Sequence, residues 1–526
     1  MQQIFLYDTT LRDGTQGEDV SFSAEDKIKI AKRLDAFGVS YIEGGWPGSN
    51  PKDMEFFERA HATSFTHAKI AAFGSTRRAK NSVEKDANIR ALLDAQTPVV
   101  TIFGKTWLLH VKQALQISPE QNLTIINDSV AFLKQHGKEV IYDAEHFFDG
   151  YKHDKVYAMQ TLAAAARAGA EILVLCDTNG GTLPWEVAEI VRETKKNIST
   201  PLGIHTHNDS GTAVASSLMA VQEGCVQVQG TINGYGERCG NANLCTIISD
   251  LQLKMGYSCV ADEQLHHLTS VSRYVSELAN MKHQKNLPFV GESAFAHKGG
   301  VHVSAVMKTA LTYEHIVPET VGNMRRVLIS DLSGRSNVLF KVKELGVELD
   351  ESSAAVQKIV DEIKEMEHYG YSYEDAEGSF ELMVKRHTGE MKHFFDLERF
   401  KVSIQKDHLE KDARSEALIK IRVGNETEIT AAEGDGPVNA LDKALRKALE
   451  KFYPELSEIH LTDYKVRVLD TQNATAAKVR VLIETQNSES SWNTVGVSPD
   501  VVEASWKALV DSISYHLLKH RAGGSE

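Results

Sequence analysis

Two short segments, far apart in the chain, carry residue types that bind a metal ion. One is Leu11-Arg12-Asp13-Gly14-Thr15-Gln16, and the other is His205-Thr206-His207-Asn208-Asp209. Residues two apart in a β-strand point to the same side. His205 and His207, at the end of the apolar run Pro201–Ile204, therefore present two imidazoles to one point. Asp13 follows the strand-like run Ile4–Tyr7 and supplies a carboxylate oxygen. Two imidazoles and a carboxylate are mixed N/O donors, suited to Zn, Mn or Mg. The competing reading of a lone H-x-H pair is two histidines partly exposed at a strand end.

These segments need a scaffold that brings strand ends together. Eight β-rich runs are predicted: Ile4–Tyr7, Tyr41–Trp46, Lys69–Phe73, Val99–Phe103, Val140–Ala144, Glu171–Cys176, Leu202–His205 and Val226–Ile232. Amphipathic helices are predicted between them, among them Ala24–Phe37, Pro119–Gln135, Lys155–Ala168, Pro184–Lys196 and Thr212–Glu223. Ser23 and Ser118 stand where a helix N-cap needs a hydroxyl, and Pro119 suits a first helical turn. Eight such repeats in about 250 residues predict an α/β chain built on a (β/α)8 TIM barrel. A doubly wound sheet is the alternative. In a barrel of this kind, functional groups sit at the C-terminal ends of the strands. Asp13, Glu43, Glu145, Asp177-Thr178, His205, His207 and Gly234–Asn241 all fall there.

At 526 residues the chain is too long for one core. Three domains are expected: a barrel over 1–256, a helical connector over 257–400, and a C-terminal α/β domain over 401–526. The connector is predicted to hold a helix at Gln264–Ala279, the loop His297-Lys-Gly-Gly-Val-His302, and a charged helical stretch at Lys341–Met366 broken near Gly346. In the last domain a β-β(-β)-α pattern occurs twice. One copy ends in a helix opened by Pro437, the other in a helix opened by Ser498-Pro499. This internal repeat carries no ligand cluster and reads as regulatory or dimerising. The net charge of −14 argues against a nucleic-acid binder. Five cysteines without a CxxC pair read as reduced, buried thiols. With no apolar run near membrane-spanning length and no signal-like start, a cytoplasmic protein is expected.

Leu11–Gln16, Leu202–Ala213, the loop Gly236-Glu-Arg-Cys-Gly-Asn241 and the loop His297–His302 together resemble the α-isopropylmalate/homocitrate/citramalate synthase family. Tyr7–Asp13 and Glu43–Pro51 look most like its citramalate branch. The resemblance spans the whole chain. It implies condensation of acetyl-CoA with a 2-oxo acid, followed by thioester hydrolysis, with pyruvate as the expected oxo acid. The alternative is a 2-isopropylmalate synthase using 2-oxoisovalerate, and a hydroxyacyl-CoA lyase is a more distant one. It further implies a divalent metal (Mn, Mg or Zn) on Asp13, His205 and His207, with Asn241 as a fourth donor. Arg12 would then stabilise charge on the keto oxygen. Glu145 and His302 would form a proton-transfer unit, and Tyr313 would orient or donate a proton. Thr178 would bind the substrate carboxylate or else cap a helix, and Glu43 is a candidate to orient Arg12. Trp46, Phe73 and Phe103 either narrow the pocket or pack in the core. A homodimer inhibited by isoleucine is expected.

Overall fold

A computed structural model describes residues 1–347, 349–350, 353–406, 413–469 and 477–522. Eight parallel strands close into a barrel in chain order. They are β1 (Phe5–Asp8), β2 (Tyr41–Gly45), β3 (Lys69–Ser75), β4 (Val99–Lys105), β5 (Glu139–Glu145), β6 (Ile172–Asp177), β7 (Leu202–Thr206) and β8 (Gln227–Gly230). The ring closes where β1 pairs β8, with Tyr7 opposite Gln229. The expected barrel is the observed one.

Alternation along each strand divides the side chains between two environments. Tyr7, Tyr41, Ala71, Val99, Ile141, Ile172, Val174 and Cys176 pack together in one small buried cluster. Leu6, Ile42, Ala72, Val100, Leu173 and Ile204 join a larger core with the surrounding helices. Ile204 belongs to the helix-side core, so His205 and His207 cannot share its environment.

Helix Ala24–Phe37 spans the expected residues. Ser23 and Asp26 form a capping box at its start, and Gly38 at φ 97° ends it. That dihedral lies in the left-handed region where only glycine is unstrained. Pro119–Gln135 and Lys155–Ala168 also match, because caps and an apolar stripe define them locally.

The connector departs from expectation. Gln264–Ala279 is two helices, Asp262–Leu265 and Leu268–Leu278. The break expected near Gly346 is present, between the helices Arg335–Glu344 and Ala354–Tyr369. By internal contacts, one compact unit holds Met1–Phe295 with Glu314–Arg325, and the other holds Ala296–Tyr313 with the chain from Arg326 onward. These limits differ from the expected ones at 256 and 400. Leu265, Leu268, Val271 and Val275 are part of the barrel unit's core, which carries that unit past residue 256. Residue 400 lies inside the strand Asp396–Gln405.

The repeat is fuller than anticipated. Asp396–Gln405, Arg414–Val423 and Glu426–Gly434 form an antiparallel meander followed by helix Pro437–Leu449. His460–Val468, Val479–Gln486 and Ser491–Ser498 form another, followed by Val501–Ala522. The third strand of the first sheet lacks a large-apolar alternation, whereas the first carries one at Phe400, Val402 and Ile404 that the sequence reading missed. Asp396–Gln405 has no buried residue, and Ile429 faces out. Pro499 lies before its helix rather than in it. Asp500 caps there instead, accepting from the N–H groups of Val502 (2.7 Å) and Glu503 (3.1 Å). Among the described residues, no helix is long and apolar enough to cross a membrane. Cys239 is exposed and the other four cysteines are buried, which corrects the expectation that all five are buried.

Candidate metal and active site

β7 and the residue just after it deliver His205 and His207 to the C-terminal mouth of the barrel, and the turn after β1 delivers Asp13 to the same point. The two Nε2 atoms face each other at 3.2 Å. Asp13 Oδ2 lies 3.3 Å from His205 Nε2 and 4.0 Å from His207 Nε2. All three side chains are buried, so partly exposed histidines are not what the strand end holds.

Burial and the neighbouring His205 push His207 down to about 4, which keeps it in the neutral, ligating form at neutral pH. Burial opposes charge on Asp13, but Arg12 and the two histidines outweigh it and hold the carboxyl well below its ordinary range. Burial also opposes charge on His205. There the hydrogen bond and charge of Asp13 prevail and raise its pKa.

His205 Nδ1 lies 2.9 Å from Gln229 Oε1, and Gln229 Nε2 donates to Asp143 Oδ1 at 3.0 Å. With the amide so oriented, His205 donates from Nδ1 to Gln229 and turns Nε2 toward Asp13 and His207, and a metal bound there would displace the proton that Asp13 favours on Nε2. Asn241 comes alongside through a backbone bridge to His207. Its Nδ2 donates to Tyr235 O at 3.3 Å, while its buried Oδ1 has no partner. The loop permits this because Gly236 adopts φ 152°, and a Cβ there would lie 2.5 Å from Asn241 Nδ2. Converging lone pairs and an orphaned buried amide oxygen are what a divalent cation satisfies. The donor set fits one.

Arg12 is held on three sides. Its Nε donates to Glu43 Oε1 at 2.7 Å, Nη1 lies 3.4 Å from Asp13, and Cζ sits 3.7 Å over the Phe73 ring. Glu43 in turn accepts from the Tyr7 hydroxyl at 2.7 Å, and Thr101 lies 2.6 Å beyond. Glu43 therefore does orient Arg12.

Arg12, Glu145, Thr178, His205 and His207 line one cavity of about 240 Å3 with Trp46, Phe73 and Phe103. Glu145 ends β5 and is ion-paired with Lys105 at the end of β4. Thr178 Oγ1 accepts from the His146 N–H at 2.9 Å. It does not cap the helix that follows, which starts at Pro184 with Leu183 in the N-cap position. In the second unit, His302 stacks on Tyr313 at 4.2 Å between ring centroids.

Four neighbours escaped the reading of the sequence: Gln229, Asp143, Lys105 and Tyr7. A signal existed for two of them. β8 carries Gln227 and Gln229 at period two, and β5 carries Asp143 between Ile141 and Glu145 on one face. Polar residues on the interior face of a barrel strand mark a site.

The HMGL-like family profile matches residues 3–275. The homocitrate synthase post-HMGL domain-like profile covers 289–370, and the LeuA allosteric (dimerisation) domain covers 374–517. Over 519 residues the chain is 59% identical to an (R)-citramalate synthase of Geobacter sulfurreducens, covering 99% of this chain and 98% of that one. Over 524 residues it is 55% identical to the (R)-citramalate synthase of Aquifex aeolicus, covering 99% of each. A 2-isopropylmalate synthase of Methanocaldococcus jannaschii is 33% identical over 522 residues, 98% of this chain and 95% of that one. Barrel, connector and C-terminal repeat thus match in order and at full length, and the chain belongs to the citramalate/2-isopropylmalate synthase family, within the HMGL-like group.

Proposed function

We propose that this chain condenses acetyl-CoA with pyruvate and hydrolyses the thioester, giving citramalate and CoA. The observation that carries the reading is the buried Asp13–His205–His207 cluster opening into an aromatic-walled cavity that also holds Arg12 and Glu145. The greater likeness to citramalate synthases than to 2-isopropylmalate synthases supports the substrate.

Asp13, His205, His207 and the Asn241 amide oxygen would hold a divalent metal (Mn, Mg or Zn), which when bound would supply a Lewis acid for the keto group of the oxo acid. Glu145 takes a proton from the acetyl methyl, a weak carbon acid that needs a positioned base. The methyl carbon then bonds to the keto carbon, and the C=O electron pair moves to oxygen. Arg12, fixed by Glu43 and Phe73, faces the negative charge that develops there. Thr178 donates to the substrate carboxylate. The proton removed from the methyl returns to the new alkoxide, and water then adds to the thioester carbonyl, giving up a proton to the sulfur as the C–S bond breaks, so that CoA leaves as the thiol. His302 and Tyr313 keep the proton-handling roles that the family resemblance implies.

The test is thiol release from acetyl-CoA with pyruvate, 2-oxobutyrate, 2-oxoisovalerate or 2-oxoglutarate. Pyruvate is expected to give the highest kcat/KM. A higher value for 2-oxoisovalerate makes the chain a 2-isopropylmalate synthase.

The same reading makes the enzyme a cytoplasmic homodimer of isoleucine biosynthesis, with isoleucine bound in the LeuA-type domain as feedback inhibitor. Couplings between sites typically change affinity by about 5–150-fold. Isoleucine titrated into the full chain is therefore expected to weaken apparent substrate affinity within that range, and leucine to do less. Stronger inhibition by leucine moves the chain to the other branch.

A further inference from the structure

We propose that Asn88 is a positioning residue that clamps Trp46 against the cavity and so sets the oxo-acid preference. The inference rests on the proposed function and concerns a residue outside the cavity wall. Trp46 follows β2 at the point where the chain leaves the barrel. Its backbone N–H donates to Asp53 Oδ2 at 2.8 Å. Asp53 Oδ1 accepts from Lys27 Nζ at 2.6 Å, and the same Nζ donates to Gly44 O at 3.0 Å. Lys27 and Asp53 are both buried. A buried ion pair adds little net stability against an apolar pair of the same size. What this one does is hold the turn. Gly45 sits at φ 153° directly over Asp53, and a Cβ there would lie 2.4 Å from the Asp53 carboxyl carbon.

The backbone of Trp46 is thereby fixed, and Asn88 fixes the ring. The indole Nε1 donates to Asn88 Oδ1 at 2.8 Å, and Asn88 Nδ2 donates to Ser75 O at the end of β3, at 2.6 Å. Both ends of the amide are used, so it cannot flip without losing two bonds. Asn88 itself stands on helix Ala87–Asp94, whose N-cap Asp86 accepts from its backbone N–H. Thus held, the indole meets Phe73 edge-on at 5.9 Å and Phe103 at 5.6 Å. Those two rings stack on each other at 5.5 Å, and Phe73 carries the Arg12 guanidinium. Trp46 is the member of this trio whose polar atom is tied to a residue behind the wall. A released indole can change rotamer, and the space it vacates admits a branched acyl chain.

The experiment compares kcat/KM for pyruvate and 2-oxoisovalerate in the full-length wild type, Asn88→Ala, Trp46→Phe and the double variant. An apolar pocket discriminates one methylene by about 10–200-fold, so loss of the clamp is expected to lower the pyruvate preference by about tenfold in each single variant. The double variant is expected to lower it no further, because both changes delete the same bond. A preference unchanged within about twofold in both single variants, or shifts that add in the double variant, overturns the proposal. If Asn88→Ala fails to fold, Asn88→Leu, which keeps a side chain of similar size and removes both hydrogen-bonding ends of the amide, takes its place, because Trp46→Phe also removes the pyrrole ring from the cavity wall. Failure of the substrate assignment shows separately, as a wild type that prefers 2-oxoisovalerate. The clamp is then still judged by whether the variants move the ratio.

Discussion

His207→Ala is expected to abolish turnover and divalent-metal binding while the barrel still folds. In the wild type, His207 Nε2 faces His205 Nε2 at 3.2 Å and its buried Nδ1 has no partner. The ring therefore contributes little hydrogen bonding to the fold. Its removal leaves a small polar gap at the barrel mouth, and His207 is no member of the packed cluster around Tyr7, Ile141 and Val174. The metal, by contrast, loses one of two imidazole donors. A bound Lewis acid is worth several kcal/mol of transition-state stabilisation, so the expected loss in kcat/KM is about a thousandfold or more. Melting temperature separates the two effects. Added Mn or Zn is expected to raise it for wild type, since a ligand that binds only the native state stabilises it, and to leave the variant where it was. Full activity in chelated wild-type protein overturns the metal assignment.

The second large effect is expected at Glu145. Glu145→Gln keeps the shape of the side chain but cannot accept the methyl proton, and kcat should fall by about 10²–10⁴-fold. The KM for pyruvate should hold, because in the proposed function pyruvate rests on the metal site, Arg12 and Thr178. A group used in the transition state lowers kcat and kcat/KM together. The amide also leaves Lys105 without its counter-charge, since Lys105 pairs with Glu145 across the ends of β4 and β5. Solvent exchange of the acetyl-CoA methyl protons reports the step directly and is expected to disappear. Near-normal exchange in the variant moves the role to His302.

Much of this was legible in the chain itself. The eight barrel strands, the capped helices Ala24–Phe37 and Pro119–Gln135, and the placing of His205 and His207 on one side follow from period-two and period-3.6 patterns. Those patterns are local, because burial of one face imprints alternation on neighbouring residues. The pattern fails where burial does. Strand Asp396–Gln405 has no fully buried residue, and its short alternation of Phe400, Val402 and Ile404 went unread, so the expected domain boundary at 400 cuts through it. Ala354–Tyr369 and Glu377–Thr388 share a core with Val495 and Val497, a pairing that no linear pattern shows.

The site divides in the same way. Donor types and spacing named Asp13, His205 and His207 from the sequence by itself. Their convergence required the barrel to close β1 onto β8. Pairing of neighbouring strands brought Gln229 behind His205, Glu43 behind Arg12, Lys105 against Glu145, and Asn88 behind Trp46. Each of these partners sits on a different strand or helix from the residue it orients. Sequence determines which groups can do the chemistry, because that is a property of the side chain. Which group holds which depends on strand neighbours and, for Asp13 with the two histidines, on the closed ring, and both exist only in the folded chain.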